Sequence, residues 1–143
     1  MVNLEKAIWR DSKFIYQLYC KLISKEFTIS QNFINFSSHN MWYKNFLKSK
    51  NYFFIIKLQN QKVGYLRYER KLDKFEISIA IIEKYQNKGL GKQAFHLSKG
   101  KIKARPIISR IIKENKRSIK FFKSINFKKY YETKKYIVLL YRS

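Results

Sequence analysis

The sequence is poor in glycine, proline, cysteine, histidine and acidic residues, and each shortage excludes something. One proline and four glycines among 143 residues leave no flexible linker, so we expect a single domain over residues 1–143. One cysteine rules out an internal disulfide, and with only two histidines beside it no zinc site is supported. No apolar run approaches the roughly 20 residues that cross a bilayer, and no basic-then-apolar leader begins the chain. We therefore expect a cytoplasmic protein that does not enter a membrane.

Basic residues dominate the charge. There are 32 lysines and arginines against 9 acidic residues, a net charge of +23. The lysines are spread along the chain, and the matching surplus of Ile, Asn, Phe and Tyr is typical of A/T-rich coding. We interpret the charge mainly as background, although it would attract anionic ligands. The nearest basic and aromatic cluster, over 128–136, is also typical of a strand hairpin, so a non-catalytic nucleic-acid-binding module remains an alternative.

Apolar periodicity predicts the element order β-α-α-β-β-β-α-β-α-β-β. The first strand is predicted over 4–9, and Ser37 or Ser38 is predicted to cap the second helix. Later strands are predicted over 51–58, 63–68, 75–82, 106–112, 127–131 and 136–141. A helix separates the strands at 75–82 and 106–112, so these should be parallel neighbours in an otherwise mostly antiparallel sheet. The fold class is therefore α+β with a mixed sheet.

Two of the four glycines lie in one turn, Gln86-Asn87-Lys88-Gly89-Leu90-Gly91. The turn follows an apolar, β-branched run and precedes a predicted helix. Backbone N–H groups of such a turn point at one place, and the helix dipole favours negative charge there. Glycine allows a phosphate to approach the backbone closely. The turn therefore predicts an anion cradle.

This turn and the element order resemble the GNAT superfamily of acetyl-CoA-dependent N-acetyltransferases, whose signature is Gln/Arg-x-x-Gly-x-Gly/Ala. A second segment, from Asn115 to Phe127, resembles the family pattern Asn-x-x-small-x-x-hydrophobic-Tyr-x-x-x-Gly-Phe. The resemblance implies a central sheet whose parallel strand pair splays at the cofactor site, with helices on both faces. It also implies acetyl transfer from acetyl-CoA to a primary amine by direct attack in a ternary complex.

The resemblance assigns coenzyme A contacts to three segments. The pyrophosphate would lie on Gln86, Asn87, Lys88, Gly89, Leu90, Gly91 and Lys92. The pantetheine arm would pair with Ile79, Ala80 and Ile81, where a backbone N–H would polarise the thioester carbonyl. Asn115 would contact the coenzyme, and Phe122 stands where many members have a tyrosine that protonates the leaving thiolate. Asn126 replaces a family glycine, and asparagine tolerates the left-handed backbone needed there.

The predicted strand over 75–82 also carries candidates for the amine chemistry. Glu76 and Ser78 share one strand face, and Glu76 is a candidate general base with Ser78 beside it in the candidate catalytic set. In the competing interpretation, Glu76 is a solvated residue that pairs with Arg67, unless Glu69 takes that arginine. Both alternatives stay open at this point.

His39 and Trp42, three residues apart on one helix face, are candidates for base and substrate contact. The helix dipole disfavours a charged His39 in the first turn. The segments around these residues and Arg67 resemble a GNAT branch that acetylates nucleotide-linked amino sugars. Arg67 is preferred over Arg70 for the phosphates, since the two should point to opposite strand faces. The alternative acceptor is a protein, such as a ribosomal-protein N-terminus, and a homodimer remains open.

Overall fold

The computed structural model of the protein describes residues 1–24 and 34–142. The described residues form the predicted element order, with short 3-10 turns before the first and third helices. The strands are β1 (Val2–Lys6), β2 (Tyr52–Leu58), β3 (Gln61–Lys71), β4 (Lys74–Ile81), β5 (Ile107–Ile112), β6 (Lys128–Glu132) and β7 (Tyr136–Tyr141). The helices are α1 (Ser12–Ser24), α2 (Phe36–Lys48), α3 (Leu90–Lys99) and α4 (Lys116–Ser124).

The strands form one seven-stranded sheet in the order β1-β2-β3-β4-β5-β7-β6. Every neighbouring pair is antiparallel except β4 and β5, which are parallel. The β4–β5 ladder has only two register pairs, Phe75 with Ile107 and Glu76 with Ile108. The mixed sheet with one parallel pair is confirmed. Among the described residues, no helix has the length and apolar character needed to cross a membrane.

Alternating side chains of the sheet build two apolar layers, one on each face. On β2, Phe53 and Ile55 pack in the layer that contains α1 and α2, whereas Phe54 and Ile56 pack in the layer that contains α3 and α4. A strand alternates its side chains between faces, so both faces of a central strand can be buried. The predicted helices on both faces are confirmed.

Several predicted boundaries are wrong; β3, for example, extends over Gln61–Lys71 rather than 63–68. β1 ends at Lys6 rather than at residue 9, because a 3-10 turn over Trp9–Asp11 follows and the Asp11 side chain accepts the Ile8 N–H at 2.9 Å. α2 is capped by Asn35 and not by Ser37 or Ser38. The Asn35 side chain accepts the Ser38 N–H at 2.8 Å, so the helix begins two residues earlier than a Ser37 cap allows.

Gly64 allows β3 and β4 to approach closely at their ends. A Cβ at Gly64 would lie 2.2 Å from the backbone oxygen of Ala80. Gly64→Ala is therefore expected to lower the free energy of unfolding by about 1–3 kcal/mol, the usual cost of overpacking. Chemical denaturation measures this loss. The matched control is Gly100→Ala, where the nearest atom to the new Cβ lies at 3.8 Å, and an equal loss in both variants would contradict the explanation.

Candidate active site

A cleft opens where β4 and β5 stop pairing. Beyond Glu76 and Ile108 no further register pair joins the strands, and a cavity of about 300 Å³ lies in the gap. We call it the cleft cavity; its walls come from β3, β4, β5, α1 and α4. A smaller cavity of about 110 Å³ continues along Ile79, Ala80 and Ile81 to Gln86, and Asn115 and Ser118 line both. The predicted pantetheine residues therefore border a continuous channel.

The hydrogen bonds of β4 show which backbone groups face this channel. Phe75 N donates to Pro106 O at 3.0 Å on the β5 side, whereas Ile82 N donates to Val63 O at 2.8 Å on the β3 side. Backbone groups of a strand alternate between its two neighbours. The N–H groups of Ile79 and Ile81 are therefore directed toward the channel, and that of Ala80 toward β3.

The turn between β4 and α3 forms an open cradle. Asn87 and Gly89 adopt left-handed backbone conformations, with φ values of 63° and 77°, and α3 begins at Leu90. Turns of this kind gather successive N–H groups into an anion-binding concavity. A Cβ at Gly89 would meet no atom within 4 Å, so the space above the turn is open. The predicted cradle for a phosphate group has the required shape.

Side chains of the turn mostly hold the cradle in place. The Gln86 amide donates to Ile81 O at 2.9 Å, and its oxygen accepts from Arg117. Leu90 is buried in the core, and a Cβ at Gly91 would lie 3.1 Å from the Phe121 ring, so these two positions pack α3 against its surroundings. Lys88 and Lys92 are exposed. They leave positive charge beside the cradle.

Asn115 and Phe122 lie on the α4 side of the cleft. Asn115 caps α4, and its side-chain oxygen accepts the Ser118 N–H at 3.2 Å, which leaves the amide NH₂ available. Phe122 is buried and lines the cleft cavity. Its ring packs against Phe121 and Phe127, with ring centroids 5.0 Å away in both cases. Asn126 has a φ of 74°, which confirms that it adopts the left-handed conformation expected of the family glycine.

A second cavity, of about 310 Å³, gathers the predicted acceptor residues. His39, Trp42, Arg67, Glu76 and Ser78 all line it. We call it the acceptor cavity. It shares six residues with the cleft cavity, namely Tyr19, Tyr65, Arg67, Glu76, Ser78 and Arg110. The two cavities therefore meet at Glu76 and Ser78, next to the point where the parallel strands separate.

Glu76 and Glu69 are cross-strand neighbours, and each pairs with a different arginine. Arg110 Nε on β5 donates to Glu76 Oε2 at 2.9 Å, with side chains 35% and 16% exposed, respectively. Arg67 lies 3.7 Å from Glu69, whose other oxygen is 2.7 Å from Lys71. Burial lowers the pKa of Arg110, but the hydrogen bond and charge of Glu76 outweigh it and raise the pKa overall. Glu76 is therefore held by a permanent cation, and Arg67 keeps most of its donors.

His39 is 2% exposed, and its Nε2 has no hydrogen-bond partner among the described residues. Its ring is surrounded by the aromatic rings of Tyr16, Phe36, Trp42 and Tyr43. Burial lowers the pKa of His39, and a hydrogen bond to the Ser12 backbone opposes that shift in part. A buried polar atom without a partner is costly unless a ligand or water uses it. His39 is thus a neutral imidazole with one unused nitrogen at the acceptor cavity.

Arg67 packs beside two adjacent aromatic rings, those of Trp42 and Phe46, whose centroids are 5.3 Å apart. Its guanidinium carbon is 5.1 Å from the Trp42 ring centroid and 5.5 Å from that of Phe46. Trp42 remains 37% exposed. Arg70 lies on the opposite sheet face, beside a different cavity, as the odd spacing predicts.

A family model described as the acetyltransferase (GNAT) family matches residues 13–127. The chain belongs to the GNAT family. GNAT enzymes use acetyl-CoA, so this protein is an acetyl-CoA-dependent N-acetyltransferase. Among curated proteins, none is similar enough in sequence to count as a relative.

Solved structures share the fold at low sequence identity. A domain from Methanocaldococcus jannaschii DSM 2661 is 21% identical with a TM-score of 0.86, over 100% of this chain and 99% of that one. Apo FdhC, described as a nucleotide-linked sugar GNAT, is 17% identical with a TM-score of 0.80, over 99% and 86%. A ribosomal-protein-alanine N-acetyltransferase from Brucella melitensis is 14% identical with a TM-score of 0.78, over 99% of each chain. At these identities the likeness shows the fold alone.

The GNAT cofactor fits the channel that this chain provides. The open cradle at Gly89 suits a pyrophosphate, and the unpaired edge of β4 offers backbone groups to an extended amide-bearing arm. When bound there, acetyl-CoA supplies an activated acetyl thioester. The residues that would hold it are those of the cradle, the β4 edge and Asn115.

Two residues at the junction of the cavities were not predicted from the sequence. Arg110 lies on β5 and Tyr19 on α1, and both line the acceptor and cleft cavities. Neither belongs to a motif. The alternation of β5 could have suggested that Arg110 and Ile108 share a face, but not that Arg110 meets Glu76.

Proposed function

We propose that this GNAT enzyme acetylates the primary amine of a nucleotide-linked amino sugar, by direct attack on the thioester in a ternary complex. The single observation that carries the proposal is the position of Arg67 at the wall of the acceptor cavity, packed against the adjacent rings of Trp42 and Phe46. A guanidinium that packs on aromatic rings is oriented before the ligand arrives, and its donors match phosphate oxygens. The exposed ring of Trp42 offers a stacking surface for a sugar or a base.

Two carboxylates and one imidazole line the acceptor cavity, and they differ in whether an atom is left without a hydrogen-bond or ion-pair partner. Glu76 is tied to Arg110, and Glu69 to Lys71 and more loosely to Arg67. His39 Nε2 has no described partner. The hydrogen bond to Ser12 then falls to the other ring nitrogen, so the proton is on Nδ1 and Nε2 presents a lone pair. We assign the role of general base to His39.

Glu76 and Ser78 face the junction of the cavities, where an amine meets the acetyl group. Beside Arg110, the Glu76 side chain can accept a hydrogen bond from the incoming ammonium and orient it, and the Ser78 hydroxyl is a second acceptor on the same face. We infer that the channel-facing Ile79 N–H donates to the thioester carbonyl oxygen there. Phe122 has no proton to give, and Tyr19, which borders both cavities, supplies a hydroxyl on the opposite wall.

Arg67→Met tests the acceptor class. With a UDP-linked amino sugar as acceptor we expect KM to rise by about 10- to 100-fold, because a charge-assisted hydrogen bond contributes about 1.5–3 kcal/mol. With the free amino sugar, KM should not change. Steady-state kinetics with both acceptors measures the difference. Arg10→Met, which removes the same charge at an exposed position outside the cavity, is the control.

Two outcomes would contradict the proposal. One is an equal effect of Arg67→Met on both acceptors. The other is faster acetylation of a peptide with an N-terminal alanine than of any nucleotide-linked amino sugar, which would favour the protein-acetyltransferase alternative. The non-catalytic nucleic-acid module is set aside, since the chain belongs to an enzyme family.

We also propose a single domain, a cytoplasmic location and a homodimer. One sheet takes strands from Val2 to Tyr141, which supports a single domain over residues 1–143. A cytoplasmic location is supported by the need for acetyl-CoA and by the single cysteine. A homodimer is supported by β6, an edge strand that is exposed along its whole length.

A further inference from the structure

A third cavity lies on the other face of the sheet, the face that packs against α3 and α4. It measures about 280 Å³ and lies at the start of β2, the end of β3 and the start of β4. We call it the basic cavity. Its lining is Lys50, Asn51, Tyr52, Arg70, Phe75, Lys103 and Arg105. None of these residues takes part in the acetyl-transfer site.

The basic cavity has four cationic side chains and no carboxylate in its lining. A neighbouring cavity of about 290 Å³ shares Asn51 and Tyr52, and adds Lys6 and Lys101, again with no carboxylate. No described carboxylate forms an ion pair with any of the four cations. The acceptor cavity differs, because there each arginine has a glutamate beside it.

Arg105 is fixed in place although it has no counter-ion among the described residues. One terminal nitrogen donates to Leu72 O at 2.9 Å, and the guanidinium carbon lies 5.5 Å from the Phe75 ring centroid. These contacts use one donor and one face of a group that has five donors. An arginine oriented by neutral partners keeps its charge available for a ligand.

Asn51 adds neutral donors to the same wall. Its side-chain oxygen accepts the backbone N–H of Arg70 at 2.8 Å. The NH₂ group of the Asn51 amide therefore remains available as a donor. Every polar side-chain group free in the lining, apart from the amphoteric Tyr52 hydroxyl, is therefore a donor. The Tyr52 and Phe75 rings, in edge contact with centroids 5.6 Å apart, provide an apolar floor.

The high lysine content of the chain does not account for the cations of the basic cavity. The chain has seven arginines, and five of them line cavities: Arg67 and Arg110 the acceptor cavity, Arg117 the small cavity by Gln86, and Arg70 and Arg105 the basic cavity. We propose that the basic cavity binds a small phosphate-bearing ligand, of the class of phosphomonoesters such as nucleoside monophosphates. Its size suits a small molecule, near the lower end of ligand pockets of about 300–1,000 Å³.

The test is titration of AMP into the full chain with one equivalent of 3′-dephospho-coenzyme A, which occupies the transfer cleft and lacks the phosphomonoester by which coenzyme A could itself bind the basic cavity. Binding is followed by calorimetry and by amide chemical shifts. We expect AMP to bind and adenosine not to bind, with shifts at residues 50–52, 70 and 103–105. In Arg70→Gln/Arg105→Gln the affinity for AMP should fall by about tenfold or more, as loss of charge-assisted hydrogen bonds implies. Lys134→Gln/Lys135→Gln removes the same charge in the β6–β7 turn and should leave the affinity unchanged.

Three results would overturn the proposal. The first is no binding of AMP, and the second is equal weakening in both double variants, which would indicate attraction by the net charge alone. The third is a single-stranded oligonucleotide that binds far more tightly than AMP with a steep salt dependence, which would indicate an extended polyanion surface. Retained binding of 3′-dephospho-coenzyme A in the same samples keeps a negative result separate from any failure of the acetyltransferase site.

Discussion

Replacing His39 with asparagine is expected to lower kcat/KM by about 10²- to 10⁴-fold, the range that general-base catalysis contributes, without changing the affinity for acetyl-CoA. The reason is that Nε2 of His39 is the one buried acceptor at the acceptor cavity without a described partner. The asparagine amide nitrogen occupies nearly the position of Nδ1 and can still donate to the Ser12 backbone. What the variant removes is the lone pair on the far side of the ring.

His39→Gln is the matched variant, because its amide group reaches toward the position of Nε2 but cannot accept a proton. Both variants should therefore lose activity while their melting temperatures stay close to each other. Glu76→Gln separates the two candidate bases. A larger loss of kcat in Glu76→Gln than in His39→Asn would contradict the assignment and return Glu76 to the role of base.

The pH profile gives a second check on His39. Burial lowers its pKa, so the acidic limb of kcat/KM should lie below the ordinary histidine pKa of about 6.5 and disappear in His39→Asn. The lowered pKa of His39 also makes folding stability fall as the pH is lowered. The unfolded chain takes up the proton first as the pH falls through about 6.5, so the native state loses stability toward lower pH. An unchanged acidic limb in the variant would exclude His39 as the titrating base.

Replacing Gly89 with tryptophan is expected to raise the dissociation constant for acetyl-CoA by more than about 100-fold, to the limit of calorimetric detection, since it removes most of the phosphate contacts. A Cβ there meets no atom within 4 Å, so the indole would enter the open cradle rather than the core. The φ of 77° adds strain of about 1–2 kcal/mol for a non-glycine residue. The variant should fold with lowered stability and fail to bind.

Asn126→Ala controls for the strain. Asn126 has a φ of 74°, so alanine meets a similar backbone cost there, but it follows α4 and does not lie in the cradle. It should melt earlier than the wild type and bind acetyl-CoA normally. Normal binding by Gly89→Trp would mean that the pyrophosphate does not lie over this turn.

Local sequence was enough for the parts of the site that are built from consecutive residues. The cradle could be predicted from Gln86–Gly91 because a glycine turn between strand and helix has few alternatives. Asn126 could be assigned a left-handed conformation because asparagine tolerates it. The face that Glu76 and Ser78 share follows from strand alternation alone.

Contacts across the sheet could not be predicted in the same way. The sequence left Glu76 as a candidate base or as a partner of Arg67, but Glu76 pairs with Arg110, 34 positions later, because β5 is inserted beside β4 by a crossover. Likewise Tyr19 comes to the cleft only because α1 packs over β3 and β4. Such pairs depend on the register between distant strands and on helix placement. Neither can be inferred from a short segment of sequence.

The two-pair ladder between β4 and β5 divides the sheet into two hydrogen-bonded blocks, β1–β4 and β5–β7. Their cohesion along this seam rests on the side chains of α3 and α4 and on the Glu76–Arg110 bridge, rather than on a continuous backbone network. A ligand that lies along the seam contacts both blocks, so its binding free energy adds to the cooperativity of unfolding. In this protein the bound coenzyme would connect the two blocks of the sheet, so that they unfold as one cooperative unit.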